Sequence, residues 1–172
     1  MPGFNIDGFG GDLTNTLEPA RAHRWVIQQL GPITQRGAML VAKELNLPQW
    51  KTERIEILGT TLWYKFAKNV KWDDIQIQFY DIPQPEYSAF DEINKWKDLV
   101  HTNTGGILKH GGNGYKRDCV FQEQDGTGET IRNIRLKNAW PASMTWGKLS
   151  YVSTDLKIID LVLSYDWAEV FK

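Results

Sequence analysis

Two stretches of strict alternation constrain this chain most. In DDIQIQFY, Ile75, Ile77 and Phe79 fall on one face, and Gln76, Gln78 and Tyr80 on the other. In IIDLVLSYDW, Ile159, Leu161, Leu163, Tyr165 and Trp167 all share a face. Successive side chains of a strand point to opposite sides, so a period of two with one apolar side marks strands buried on that side. Weaker versions recur. HRWVIQQL places Trp25 and Ile27 opposite Val26 and closes at Gly31-Pro32, and AMLVAKELNLP reads as a second strand ending at Pro48, with a short helix as the close second choice.

RIEIL and TLWYKF, separated by Gly59-Thr60, read as a hairpin. Ile55 and Ile57 alternate with Arg54 and Glu56, while Leu62, Tyr64 and Phe66 alternate with Trp63 and Lys65. Large apolar residues, Leu58 and Trp63 included, therefore occupy both faces. The expectation is that one face packs on its own domain and the other on a partner chain.

DIPQP interrupts the strands, since two prolines in four residues cannot continue a ladder. EYSAFDEINKWKDLVH then reads as the single helix, with Phe90, Ile93, Trp96 or Lys97, and Val100 at helical spacing. Ser88 and Asp91 have capping-box form, and acids lead the helix while Lys97 and His101 close it. A glycine-rich loop from Gly105 to Gly114 follows, then the strand YKRDCVFQ and a QDGTG turn. ETIRNIRLKNAW is expected to end at Trp140-Pro141, with SMTWGKLSYVS and the final alternating run completing seven or eight strands.

At 172 residues the chain has the size of one domain, and 41% apolar with 24% charged residues excludes a disordered polypeptide. No apolar run approaches the ~18 residues of a membrane span, and MPGFNIDGFGG lacks the basic and apolar regions of a signal peptide. Residues 1–20, with four of the fifteen glycines, read as a flexible or assembly-ordered arm, order beginning near Arg21. Cys119 stands alone, so an intrachain disulfide is impossible and a reducing compartment is expected. A net charge of −1 argues against a protein built to grip nucleic acid through its phosphates. The excess lies in the rings: eight Trp, six Tyr and seven Phe, enough for a sugar-stacking face or for subunit interfaces.

Chemistry lacks parts. His23, His101 and His110 share no helix face at ligand spacing. Lys109-His110 does not supply the Gly-Lys-Ser/Thr of a phosphate loop, and Asp125-Gly126-Thr127-Gly128 lacks the spaced oxygens of a calcium loop. Asp73 and Asp74 are consecutive, so on a strand they point apart and cannot flank a scissile bond. No Gly-x-Ser-x-Gly elbow is present. The expectation is a protein that is not an enzyme and uses no metal or cofactor.

The ordered string WDDIQIQFYD, NKWKDLV, the glycine loop, YKRD and IRLKNAWPASMTWGKLSYVSTDLKIIDLVLSYDW resembles the tail tube proteins of contractile-tailed bacteriophages. The matching positions are Asp73 and Asp74, Trp96, Tyr115 to Asp118, Trp140-Pro141, and Tyr165, Asp166 and Trp167. The resemblance covers about 150 residues from Ala20-Arg21 and makes residues 21–172 a tail-tube domain. It implies a mainly β fold with one α-helix, in which two packed antiparallel sheets form a barrel-like body related to the tube subunit of type VI secretion. It further implies hexameric rings stacked into a hollow tube in the virion, assembled in the host cytoplasm. The partners would be further copies, the tail sheath, the baseplate hub or initiator, the tail terminator, and viral DNA passing through without tight binding.

On this reading the hairpin residues Arg54, Ile55, Ile57, Leu58, Leu62, Trp63 and Tyr64 form the subunit interface. The polar positions Gln76, Gln78, Glu123 and Glu129 face the lumen, where fixed cations would hold DNA back. Two other roles fit the same architecture: a baseplate tube initiator, and the inner tube of a phage-derived contractile injection system. A reading of a different class is a Trp-rich carbohydrate-binding β-sandwich. It needs exposed coplanar rings, whereas Trp25, Trp96 and Trp167 fall on apolar faces.

Overall fold

Strand β1 (Trp25–Leu30) leads through Gly31 to a short helix α1 (Arg36–Leu40) and strand β2 (Ala42–Leu45), so AMLVAKELNLP is both helix and strand. The hairpin is β3 (Trp50–Leu58) and β4 (Trp63–Trp72), followed by β5 (Ile75–Tyr80) and the main helix α2 (Ala89–Val100). A one-turn helix α3 (Gly112–Tyr115) precedes β6 (Arg117–Gln124), β7 (Thr130–Thr145), β8 (Ile158–Ser164) and β9 (Trp167–Phe171). These elements belong to a computed structural model that describes residues 22–101, 112–152 and 154–171. The proposed arm 1–20 and most of the glycine-rich loop, His110 included, lie outside the described residues.

All strand pairs are antiparallel. β7 is the strand that organises them. Its first half pairs with β6 on one side and β9 on the other, while its second half pairs with β8. With β1 added beyond β6, and β5 and β2 beyond β8, two four-stranded layers share one bent strand. The bend falls at Asn138, whose φ of 57° lies in the left-handed region that asparagine tolerates better than most residues. The β3–β4 hairpin is a separate two-stranded sheet.

One core joins both layers and α2. Phe121 and Leu136 from one layer meet Ile77, Phe79, Leu161 and Leu163 from the other, around Ile93 and Trp96 of the helix. The alternation in β5 is realised in full: Ile75, Ile77 and Phe79 are buried and the intervening residues half-buried. Ser88 caps α2 as its spacing predicts, its Oγ accepting the Asp91 amide at 3.2 Å.

Several expectations need correction. Among the described residues nine strands form, not seven or eight, and α1 and α3 join the single expected helix. Within α2 the buried face is Ala89, Ile93, Trp96 and Val100, and Phe90 sits half-buried at its margin. Pro141 does not end its strand: it is buried and pairs with Leu163. There β7 carries a partner only on its β8 side among the described residues, an edge position of the kind where sheets tolerate proline. SMTWGKLSYVS is strand only to Thr145 and then becomes an irregular loop. Trp167 does not share the buried face of Ile159 to Tyr165, because the chain crosses between layers at Asp166 and the parity resets. Trp167 pairs with Lys137 and is exposed. The barrel implied by the resemblance is not closed within one chain, since among the described residues no strand covers the outer edges of β1, β2 or β9.

Candidate assembly surface

The residues that carry the family resemblance converge where β7 changes layers. The Trp96 indole N–H donates to the Tyr115 carbonyl at 2.9 Å, and the Tyr115 ring stands edge-on to Trp140 at 6.1 Å. Lys116 reaches the Asp166 carboxylate at 2.7 Å, and the same carboxylate accepts the Asn138 side-chain amide at 2.8 Å. Asp118 accepts from the Lys137 ammonium at 2.8 Å and from the Asn138 backbone at 3.3 Å. The Lys116 hydrogen bond first, then that of Asn138, hold the Asp166 carboxyl below its ordinary pKa. Burial pushes Asp118 up, but the Lys137 and Asn138 hydrogen bonds and the charges of Lys137 and Arg135 outweigh it and leave that carboxyl low as well. This cluster fixes the strand crossing. It is a structural knot, and its partners are internal.

Tyr165 and Asp73-Asp74 mark a second junction, the root of the hairpin. Asp73 and Asp74 lie in the short link between β4 and β5, Asp73 pairs with Lys51 at 2.8 Å, and its amide donates to the Gln49 carbonyl. Trp72 packs against Tyr165, whose hydroxyl is pushed up to about 12 by burial and then by the Asp73 and Asp74 charges.

Beyond this root the hairpin is bare. Nearly every residue from Trp50 to Lys71 is exposed, so the expectation that one face packs on its own domain is wrong. The register explains what each face offers. Ile55 pairs with Phe66 and Ile57 with Tyr64, making an apolar ladder on one face. Leu58 pairs with Trp63 and Glu56 with Lys65 on the other. Leu58, Leu62 and Trp63 are each about three-fifths exposed (59%, 64% and 61%). Arg54 belongs to the second face through its ion pair with Glu56. Lys71 is held above its ordinary pKa by its hydrogen bond to Glu53 and by that carboxylate's charge. The turn is closed by the Gly59 amide on the Leu62 carbonyl, and a Cβ at Gly59 would lie 2.5 Å from the exposed Tyr64 ring, which would have to swing aside.

A second apolar surface was not legible as such in the sequence. The loop between β7 and β8 exposes Trp146, Leu149, Tyr151, Val152 and Leu156, a run that strand propensity had absorbed. The only sequence signal for a loop is Gly147, which adopts a φ of 77°.

The residues expected to face a lumen do not gather at one place. Gln76 and Gln78 lie on the coreward-opposite face of β5, and both side-chain amides donate to Asp160, at 3.1 and 2.8 Å. Glu123 pairs with Arg132 across β6 and β7, and Glu129 is exposed in the turn closed by Asp125. Among the described residues no three His, Cys, Asp or Glu side chains cluster as metal ligands, and burial pushes the Cys119 thiol up to about 12. No described helix is long and apolar enough to cross a membrane.

No protein-family model and no curated protein matches this sequence. Solved structures do match its fold. The anti-feeding prophage tube-terminating cap aligns with TM-score 0.70 at 16% identity, covering 90% of this chain and 92% of the other. The sheath/tube terminator of the PVC extracellular contractile injection system aligns with TM-score 0.70 at 17% identity, covering 91% and 99%. The PVC sheath-tube complex in its extended state follows at 0.63 and 16%, covering 89% and 91%. The chain therefore shares its fold with chains of the cap, sheath/tube terminator and sheath-tube assemblies of contractile injection systems.

Proposed function

We propose that this protein is a structural subunit of the tube of a contractile tail or contractile injection particle, identical copies closing into hexameric rings that stack around a conduit. The observation that carries this reading is the β3–β4 hairpin, apolar on both faces and, beyond its root, exposed along nearly its whole length among the described residues. A monomer gains nothing from such an element, whereas two neighbouring copies can bury both faces. The open edges of β1, β2 and β9 fit the same role, since pairing between copies removes edges that otherwise invite aggregation. The sheath, the baseplate hub or initiator and the terminator are then its partners, and DNA or another cargo passes through the bore.

A second reading places the chain at one end of the tube, as a cap, terminator or baseplate initiator. It is favoured by the cap and terminator assemblies among the matching structures. Electron microscopy of concentrated protein separates the two. Tubes of uniform bore are expected for the main tube subunit, and single rings that never stack for an end subunit. A protein monodisperse as a monomer at every concentration would overturn both.

A further inference from the structure

The two exposed apolar surfaces lie at opposite ends of one strand layer. The hairpin root is tied to the Ile75 end of β5, where the Asn46 amide meets the Gln76 carbonyl and Ile75 pairs with Leu163. The β7–β8 loop sits at the Tyr80 end, where Tyr80 pairs with Ile158 and its amide reaches the Val41 carbonyl. Five residue steps at ~3.3 Å set these ends about 17 Å apart along the strand. At the Tyr80 end, Leu40, Val41, Tyr80, Ile82 and Leu156 surround a notch of about 390 Å³. The notch is an open recess, of a size that a large apolar side chain can enter. The charges at its rim, Asp81 and Lys157, are paired to each other at 2.6 Å. The hairpin tip, Leu58 to Tyr64, contains no charged residue at all.

We propose that the hairpin tip of one copy seats in the notch beside the β7–β8 loop of the next copy, a head-to-tail contact that leaves each copy with one free tip and one free notch. The inference rests on the tube-subunit reading and names which surfaces meet. An uncharged tip meets a site whose charges are already satisfied, so burial desolvates apolar groups without stranding an ion. Leu58, Leu62, Trp63 and Tyr64 on the tip, and Leu40 and Leu156 at the notch, are each more than half exposed, apolar surface that the contact removes from water. Because the two surfaces differ, the contact is heterologous and propagates instead of stopping at a dimer.

Two proteins with one added cysteine each test it, Leu62→Cys on the tip and Leu156→Cys at the notch, with a short bismaleimide as probe. Both positions are exposed, and the native Cys119 is fully buried and so stays silent. The expected result is a cross-linked dimer only when the two proteins are mixed, and a ladder of higher species from the double variant. Cross-linking of Leu62→Cys protein alone would mean that tip meets tip and would overturn the pairing. A second measurement uses Leu62→Asp and Leu156→Asp. Each alone should keep its melting temperature and lose the tip–notch contact, and mixing the two should restore one such contact per pair, doubling the size of the species that each forms alone. Tubes or rings that form without any mixed cross-link would sink this pairing and leave the tube-subunit reading standing; no assembly at all would sink both.

Discussion

Gly31 shows how tightly the core specifies single residues. Its φ of 54° is left-handed, and a Cβ there would lie 2.5 Å from the Trp96 indole, itself fully buried. Neither the backbone nor the ring can yield cheaply. Gly31→Ala is expected to destabilise the fold by about 1–3 kcal/mol, read as a lower urea midpoint. The inward Trp96 was legible from helical spacing. The strand-crossing residues were visible only through the family resemblance, because a cluster such as Asp118, Asn138 and Asp166 joins positions far apart in sequence. Their carboxyls make a second prediction. Asp118 and Asp166 have folded pKa values below the ordinary carboxylate range, so they bind protons less readily in the folded than in the unfolded chain. Their contribution to stability is complete above the unfolded pKa of ~4 and is lost as pH falls through the folded values. The melting temperature should therefore drop steeply below about pH 4, and Asp166→Asn should be less stable at pH 7 while showing a shallower acid slope. An unchanged slope would mean that Asp166 gains nothing from its partners.

At the scale of elements, legibility tracked how local each cause was. The strand β5, the capped helix α2 and the existence of the hairpin follow from periods, caps and a glycine, all contained in about a dozen residues, although the turn runs from Gly59 to Leu62 and sets Leu58 opposite Trp63, beyond the Gly59-Thr60 pair expected. Pro141 and Trp167 did not follow, because their surroundings are set by which layer the chain has reached. A proline is tolerated on an uncovered edge, and a crossing at Asp166 reverses which residues face inward. The hairpin's solitude was illegible for a related reason: alternation shows that both faces are greasy, not what covers them. That solitude yields a sharp expectation. Trp63→Ala and Leu58→Asp alter residues about 60% exposed, so the isolated chain should keep its melting temperature within about 0.5 kcal/mol of stability. Assembly should be lost, measured by sedimentation velocity on concentrated protein. Variants that unfold instead would make the hairpin part of the core.

For the whole molecule, the near-zero net charge sets what an assembled conduit can do with a polyanion. A bore that holds DNA by phosphate contacts binds more tightly as salt falls, with a slope of ~0.9 per contact in log–log form. A chain of net charge −1 has little to offer such contacts, and the candidate bore row supplies still less. Gln76 and Gln78 present amides that are already engaged, both bonded to Asp160, which adds a negative charge between them. Wild-type assemblies should therefore retain no duplex DNA in a low-salt pull-down. Gln76→Lys with Gln78→Lys offers the converse test. One lysine is neutralised by Asp160 and the other is left free in every copy, so a row that lines the bore becomes a repeating ring of cations. Assemblies of this variant should capture DNA at low salt and release it as salt rises, with tube dimensions unchanged by electron microscopy. DNA capture by the wild type would refute a slippery bore. A silent double-lysine variant that still assembles would show that this face of β5 looks outward, toward a sheath, and that the conduit is lined by the other layer.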